Sequence, residues 1–178
     1  MLTGSHAAFR QVHLFDISIP GGITFRESDT LSPGDGCTVV DTAVGRLGVG
    51  ICFDIRFPEL ALLAASRGAQ MLVFPGAFNT VTGPLHWELL ARARAVDCQA
   101  FVLMCSPARV AGASYQAWGH SSAVGPFGEV LATTEEAPAM VLADLDLAQV
   151  AARRRAMPLE TQRRGDVYTL VDRRAAGL

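Results

Sequence analysis

Gly48-Val49-Gly50-Ile51-Cys52-Phe53-Asp54 is the stretch whose residue types and spacing most directly suggest chemistry. Side chains alternate along a strand, so Cys52 shares a face with Gly48 and Gly50, at the end where the strand must turn. Leu47, Val49 and Ile51 make the other face bulky, whereas the glycine face is bare backbone that suits close approach by something else. A helix predicted to open at Pro58 follows within six residues, which puts Cys52 at a strand-to-helix elbow. Such an elbow exposes a side chain, and a nearby helix N-terminus lowers a thiol pKa. Backbone N–H groups there can hold an oxyanion. Spacing alone leaves two readings open: a thiolate nucleophile, or a small buried residue closing a strand.

The remaining cysteines offer less. Cys98 and Cys105 flank or sit within apolar elements and read as core. The four cysteines contain no CxxC pair and no histidine at ligand spacing. This argues against a zinc site and a disulfide framework, and for reduced thiols inside a cell. His13 and His120 invite a Cys–His dyad, but both read as structural.

The elements that must position Cys52 follow from periodicity. Val12–Asp16, Thr38–Asp41, Arg46–Ile51, Met71–Phe74, Phe101–Cys105, Ser122–Val124, Val130–Thr133 and Ala139–Leu145 read as strands. Pro58–Arg67, Leu85–Val96 and Leu147–Arg155 read as helices, stopped by Gly68 in the first case and Pro158 in the last. Pro20-Gly21-Gly22, Ser32-Pro33-Gly34-Asp35 and Gly125-Pro126-Phe127-Gly128 mark turns. Strands alternating with helices indicate an α/β protein, and the turn-linked strands indicate a mixed sheet.

Composition narrows the chemistry. The chain has 178 residues, a net charge of −2, 50% apolar and 18% charged residues, against a usual charged share of ~25%. Disorder and a basic nucleic-acid surface are both disfavoured. All 15 basic residues counted as Lys+Arg are arginine. Lysine Schiff-base chemistry and a phosphate-cradling P-loop lysine are therefore ruled out for these residues. Apolar runs such as Leu60–Ala65 are too short to span a membrane, and MLTGSHAAFR lacks the apolar region of a secretory signal. The location expected is cytoplasmic, with a mitochondrial one as the alternative.

The chain resembles the carbon–nitrogen hydrolase (nitrilase) superfamily, and most closely its omega-amidase branch. The resemblance rests on HLFDISIPGGITFRES, TLSPGD, GRLGVGICFDIRFPEL, LVFPGAFN, GPLHWELLARARAVD, SPAR, YQAWGHSSAVGPFGEVLA and RRGDVY. It implies an incomplete αββα sandwich with mixed sheets: residues 1–9 unmatched, and residues 10–178 forming the C-terminal portion of one hydrolase domain. It also implies a Glu–Lys–Cys triad in which the thiolate attacks an amide carbon, ammonia leaves, and water hydrolyses the thioester. Cys52 matches the nucleophile. The triad glutamate falls before the matched stretch, and Gln11 stands at the triad lysine. Glu27 matches an accessory active-site glutamate. The substrates implied are the ω-amides of 2-oxo acids, 2-oxoglutaramate and 2-oxosuccinamate, with no cofactor, no metal and a homodimer as the assembly.

Three further expectations attach to that scheme. Arg56, four residues beyond Cys52, fits a substrate carboxylate, or else pairs with Glu59 or Asp54. Phe78, Asn79 and Thr82 follow a strand's C-terminal end and are expected to line the pocket. His86-Trp87-Glu88 reads as packing or interface. With the triad glutamate absent from the matched stretch and Gln11 at the triad lysine position, turnover is expected to be impaired. The alternative is a catalytically dead fragment or splice product acting only through association with related subunits, for which the tail at Gln162–Tyr168 is a contact.

Overall fold

The computed structural model describes residues 8–20, 24–174, 176 and 177. The elbow strand predicted at Arg46–Ile51 is β4 (Gly45–Val49), paired antiparallel with β3 (Thr38–Thr42) through a two-residue turn at Ala43-Val44. Gly45 carries that turn at φ 131°, a backbone conformation that disfavours side chains. The ladder does not extend through Ile51, because Asp54 Oδ2 accepts the Ile51 N–H at 2.9 Å.

Beyond β4 the chain forms α1 (Pro58–Ser66), β5 (Met71–Pro75), α2 (Gly83–Cys98) and β6 (Phe101–Cys105). Next come β7 (Ser122–Val124) and β8 (Val130–Thr133), then α3 (Ala148–Ala156) and the short α4 (Leu159–Gln162). The six strands lie in sequence order, β3 to β8; β4, β5 and β6 run parallel, and the outer pairs are antiparallel. The expected mixed sheet is therefore present. Pro58 sits in the first turn of α1, where its missing N–H costs nothing.

The two faces of the sheet are covered differently. On one face Leu72, Phe74, Val102, Met104 and Val124 meet α1 and α2 through Ala61, Ala64, Trp87, Ala91 and Ala95. Gly48 allows this closeness, since a Cβ there would stand 2.7 Å from the Ala64 Cβ. On the other face Met71 and Phe101 pack against Val150 of α3. Burial of each large side chain contributes about 1.5–3 kcal/mol. Among the described residues no helix is long and apolar enough to cross a membrane.

Two expected strands differ from the structure. Val12–Asp16 is not a strand along its length: the strand present is β1 (Asp16–Ser18), in a hairpin with β2 (Thr24–Arg26). Residues 12–15 are held instead by carboxylates, with the Val12 and His13 amides donating to Asp54 and the Phe15 amide to Glu27. Gly21 and Gly22 of the expected turn, and the first seven residues, lie outside the described residues.

Ala139–Leu145 forms no ladder. Among the described residues its backbone makes no hydrogen bond to the protein. Within it only Val141 and Leu145 are half-buried; Met140 and Leu142 are 80% and 79% exposed, and Ala143 is exposed too, so no alternating face is covered. A strand also needs a neighbour, which alternation does not supply.

Candidate active site

Cys52 opens a single 3-10 turn, Cys52–Arg56, directly after β4. Its backbone is in the left-handed region, at φ 46°, rare for a residue with a Cβ. Strain of this kind persists where the surroundings over-determine it. Here Phe74 occupies the space above Gly50, and Gly76 backs directly onto Cys52. The elbow expected from the sequence is present, tighter than a simple strand end.

Cys52 lines a cavity of about 430 Å³. Glu27, Arg56, Phe78, Asn79 and Thr82 line the same cavity, so six of the seven residues singled out in the sequence converge on it. Gln11, the seventh, is not in the wall but stands behind Glu27. Its Nε2 donates to Glu27 Oε2 at 2.9 Å and to the His13 carbonyl at 2.7 Å, which engages both of its amide hydrogens. Glu27 Oε2 also accepts the Phe15 amide at 2.7 Å.

Burial pushes the Cys52 thiol above the usual range, and the Glu27 and Asp54 carboxylates add to this. The thiol donates to the Ala77 carbonyl, 3.9 Å from Sγ, while a backbone hydrogen bond from Ala77 and the Arg56 guanidinium act to lower the pKa without prevailing. The lowered thiol pKa expected at the elbow is therefore reversed in direction. A turn this short supplies little dipole, and desolvation outweighs it.

Arg56 lies with its guanidinium carbon 4.7 Å from the Phe78 ring centroid and 5.8 Å from that of Phe53. Its one polar side-chain partner among the described residues is His86 Nδ1, which accepts at 3.2 Å. Neither Glu59 nor Asp54 pairs with it, so the structural ion pair expected as the alternative does not form. Burial draws its pKa below the usual arginine value. Asn79 Oδ1 accepts from the Val81 and Thr82 amides and the Thr82 hydroxyl, which turns the chain from β5 into α2.

Several contributors were not singled out from the sequence. Tyr115 stands in the cavity wall and donates its hydroxyl to the Ala77 carbonyl at 2.7 Å, the same oxygen that faces the Cys52 thiol. It comes from the loop after β6, where no periodicity marks a residue. Phe15, Phe25 and Phe53 also line the cavity, and Phe53 as the neighbour of Cys52 was the readable one. His86 reaches Arg56 across 30 positions, beyond any local signal. Its neighbour Trp87 is core as expected, 2% exposed and donating Nε1–H to the His120 carbonyl at 2.6 Å.

Neither His13 nor His120 lines the cavity. His13 stacks on Phe57 and donates to Asp54, and His120 stacks on Trp118. Cys98 is buried as expected, but Cys105, the last residue of β6, is exposed.

The family model described as "Carbon-nitrogen hydrolase" matches residues 3–155. A chloroplastic omega-amidase of Arabidopsis thaliana is 62% identical over 166 residues, covering 93% of this chain and 45% of that protein. The human omega-amidase NIT2 is 55% identical over 164 residues, covering 92% of this chain and 59% of that protein. Among solved structures, Saccharomyces cerevisiae Nit3, a member of branch 10 of the nitrilase superfamily, aligns with a TM-score of 0.78 at 51% identity. It covers 88% of this chain and 54% of its own. The C. elegans NitFhit protein aligns with a TM-score of 0.86 at 43% identity, covering 92% of this chain and 40% of its own. The chain spans about half the length of the curated relatives it matches.

Proposed function

The chain belongs to the carbon–nitrogen hydrolase family, and on that footing we propose that it is an omega-amidase-type hydrolase acting through Cys52. The substrates are 2-oxo acid ω-amides, 2-oxoglutaramate and 2-oxosuccinamate. The observation that carries this reading is the meeting, in one cavity, of a strained cysteine with a guanidinium that has no carboxylate partner among the described residues. The 62% identity to a protein named omega-amidase supports it.

The thiol proton passes to a carboxylate, and Sγ attacks the amide carbon. The C–N bond breaks, and ammonia leaves with that proton. Water then adds to the thioester, the C–S bond breaks, and the acid is released with the thiol restored. By the resemblance the relay belongs to a glutamate N-terminal to the matched stretch. Glu27, the only carboxylate lining the cavity among the described residues, orients the thiol or the amide. Arg56 receives the distal carboxylate, with Phe78 and Thr82 shaping the pocket around the oxo acid. Gln11 carries no charge where the family pattern places lysine, so turnover is slow.

The assembly proposed is a homodimer across α2, where Leu85 and Leu89 are exposed at helical spacing. Ammonia release from 2-oxoglutaramate above the level of a Cys52→Ala variant is the expected result. Release indistinguishable from that variant overturns the reading.

A further inference from the structure

Asp54 is fully buried, two residues past Cys52, and is absent from the cavity wall. A buried carboxylate is tolerated only where donors replace its water. Asp54 has four: Oδ2 accepts the Ile51 amide at 2.9 Å and the Val12 amide at 3.3 Å, while Oδ1 accepts the His13 amide at 2.8 Å and His13 Nδ1–H at 2.9 Å. One donor belongs to the Cys52 elbow. The other three belong to a stretch about forty positions earlier in the chain.

That earlier stretch carries the rest of the site. The His13 carbonyl accepts from Gln11 Nε2, whose other hydrogen goes to Glu27 Oε2, and the same Glu27 oxygen accepts the Phe15 amide. A continuous series of hydrogen bonds thus runs from the Cys52 turn through Asp54, His13 and Gln11 to Glu27. The stacking of His13 on Phe57, with ring centroids 3.6 Å apart, clamps the middle of the series against the end of the same turn.

We infer that Asp54 is a positioning residue that, through His13 and Gln11, sets where the Glu27 carboxylate stands relative to the Cys52 thiol. It touches neither substrate nor reacting atoms. Small misplacements of a reacting group can cost up to about 100-fold in rate. The inference rests on the Cys52 amidase reading for its rate effect, but its geometry can be tested without turnover.

The test uses the whole chain with Asp54→Asn and His13→Phe. The second variant keeps the ring stack and the backbone donor and removes only the Nδ1–H bond. For folded protein, kcat on 2-oxoglutaramate is expected to fall about tenfold or more in either variant, with KM changed less than about threefold. Independently, Glu27→Gln should alter the rate of iodoacetamide alkylation of Cys52 in the parent chain and have little effect in either variant background. Folded variants with parental kcat, or a Glu27→Gln effect of equal size in every background, overturn the inference. If the parent chain shows no ammonia release, the amidase reading fails and the alkylation coupling still decides the role of Asp54.

Discussion

A Cβ on Gly76 would stand 2.6 Å from the Cα of Cys52 and 2.9 Å from its Cβ. Neither atom moves with a side-chain torsion, so no rotation relieves the contacts. Gly76→Ala therefore has to push the Cys52 elbow away, and overpacking of this kind costs about 1–3 kcal/mol. Alkylation of Cys52 and amide turnover are expected to fall by up to about 100-fold, alongside a lowered melting temperature. An Ala variant with parental alkylation kinetics would show that the elbow can shift without consequence.

Arg56 gives a prediction about selectivity. A charge-assisted hydrogen bond contributes about 1.5–3 kcal/mol, which corresponds to roughly 10- to 100-fold in affinity. Arg56→Ala is expected to raise KM for 2-oxoglutaramate by that factor. A neutral amide of similar size should be affected far less, and steady-state kinetics on the pair measures the difference.

Gln11→Lys tests the departure from the family pattern. Both amide hydrogens of Gln11 are engaged, by Glu27 and the His13 carbonyl. A lysine ammonium has three donors, so it can keep both bonds and present a third with a full charge. An added oxyanion donor can be worth about 10²–10³ in rate. An increase in kcat of at least about tenfold is expected, and an unchanged kcat would separate the impairment from Gln11.

Alkaline pH should weaken the fold through Cys98, whose burial pushes its thiol up to about 12. The unfolded thiol ionises near its ordinary value of about 8.5. The neutral form is thus favoured in the folded state, and this contribution is complete below about pH 8.5. It is lost as pH rises toward the folded value, because the unfolded chain releases its proton first. Denaturation midpoints are expected to fall across that window, and less steeply in Cys98→Ala.

The elbow was legible because Pro58 opens a helix within six residues of Cys52, just past the strand end. The parallel β5 and β6 were legible too, as short apolar runs between Pro-Gly and polar stretches. Residues 12–15 were not, because what extends them is the Asp54 and Glu27 carboxylates rather than a partner strand. The thiol pKa was misjudged for a related reason. The sequence locates a helix N-terminus, but not how much water the cavity withholds from Cys52. Tyr115 was hidden because loops carry no period, and its place follows from the Ala77 carbonyl it binds.

The extended stretch from Ala139 to Leu145 has its own consequence for the time behaviour of the molecule. Peptide groups with no protein partner among the described residues need no opening event before they trade hydrogen for deuterium. Those of β5 and β6, bonded within the middle of the sheet, must wait for the sheet itself to part. The described residues therefore carry a fast clock and a slow one side by side, and the gap between them reports the stability of the sheet.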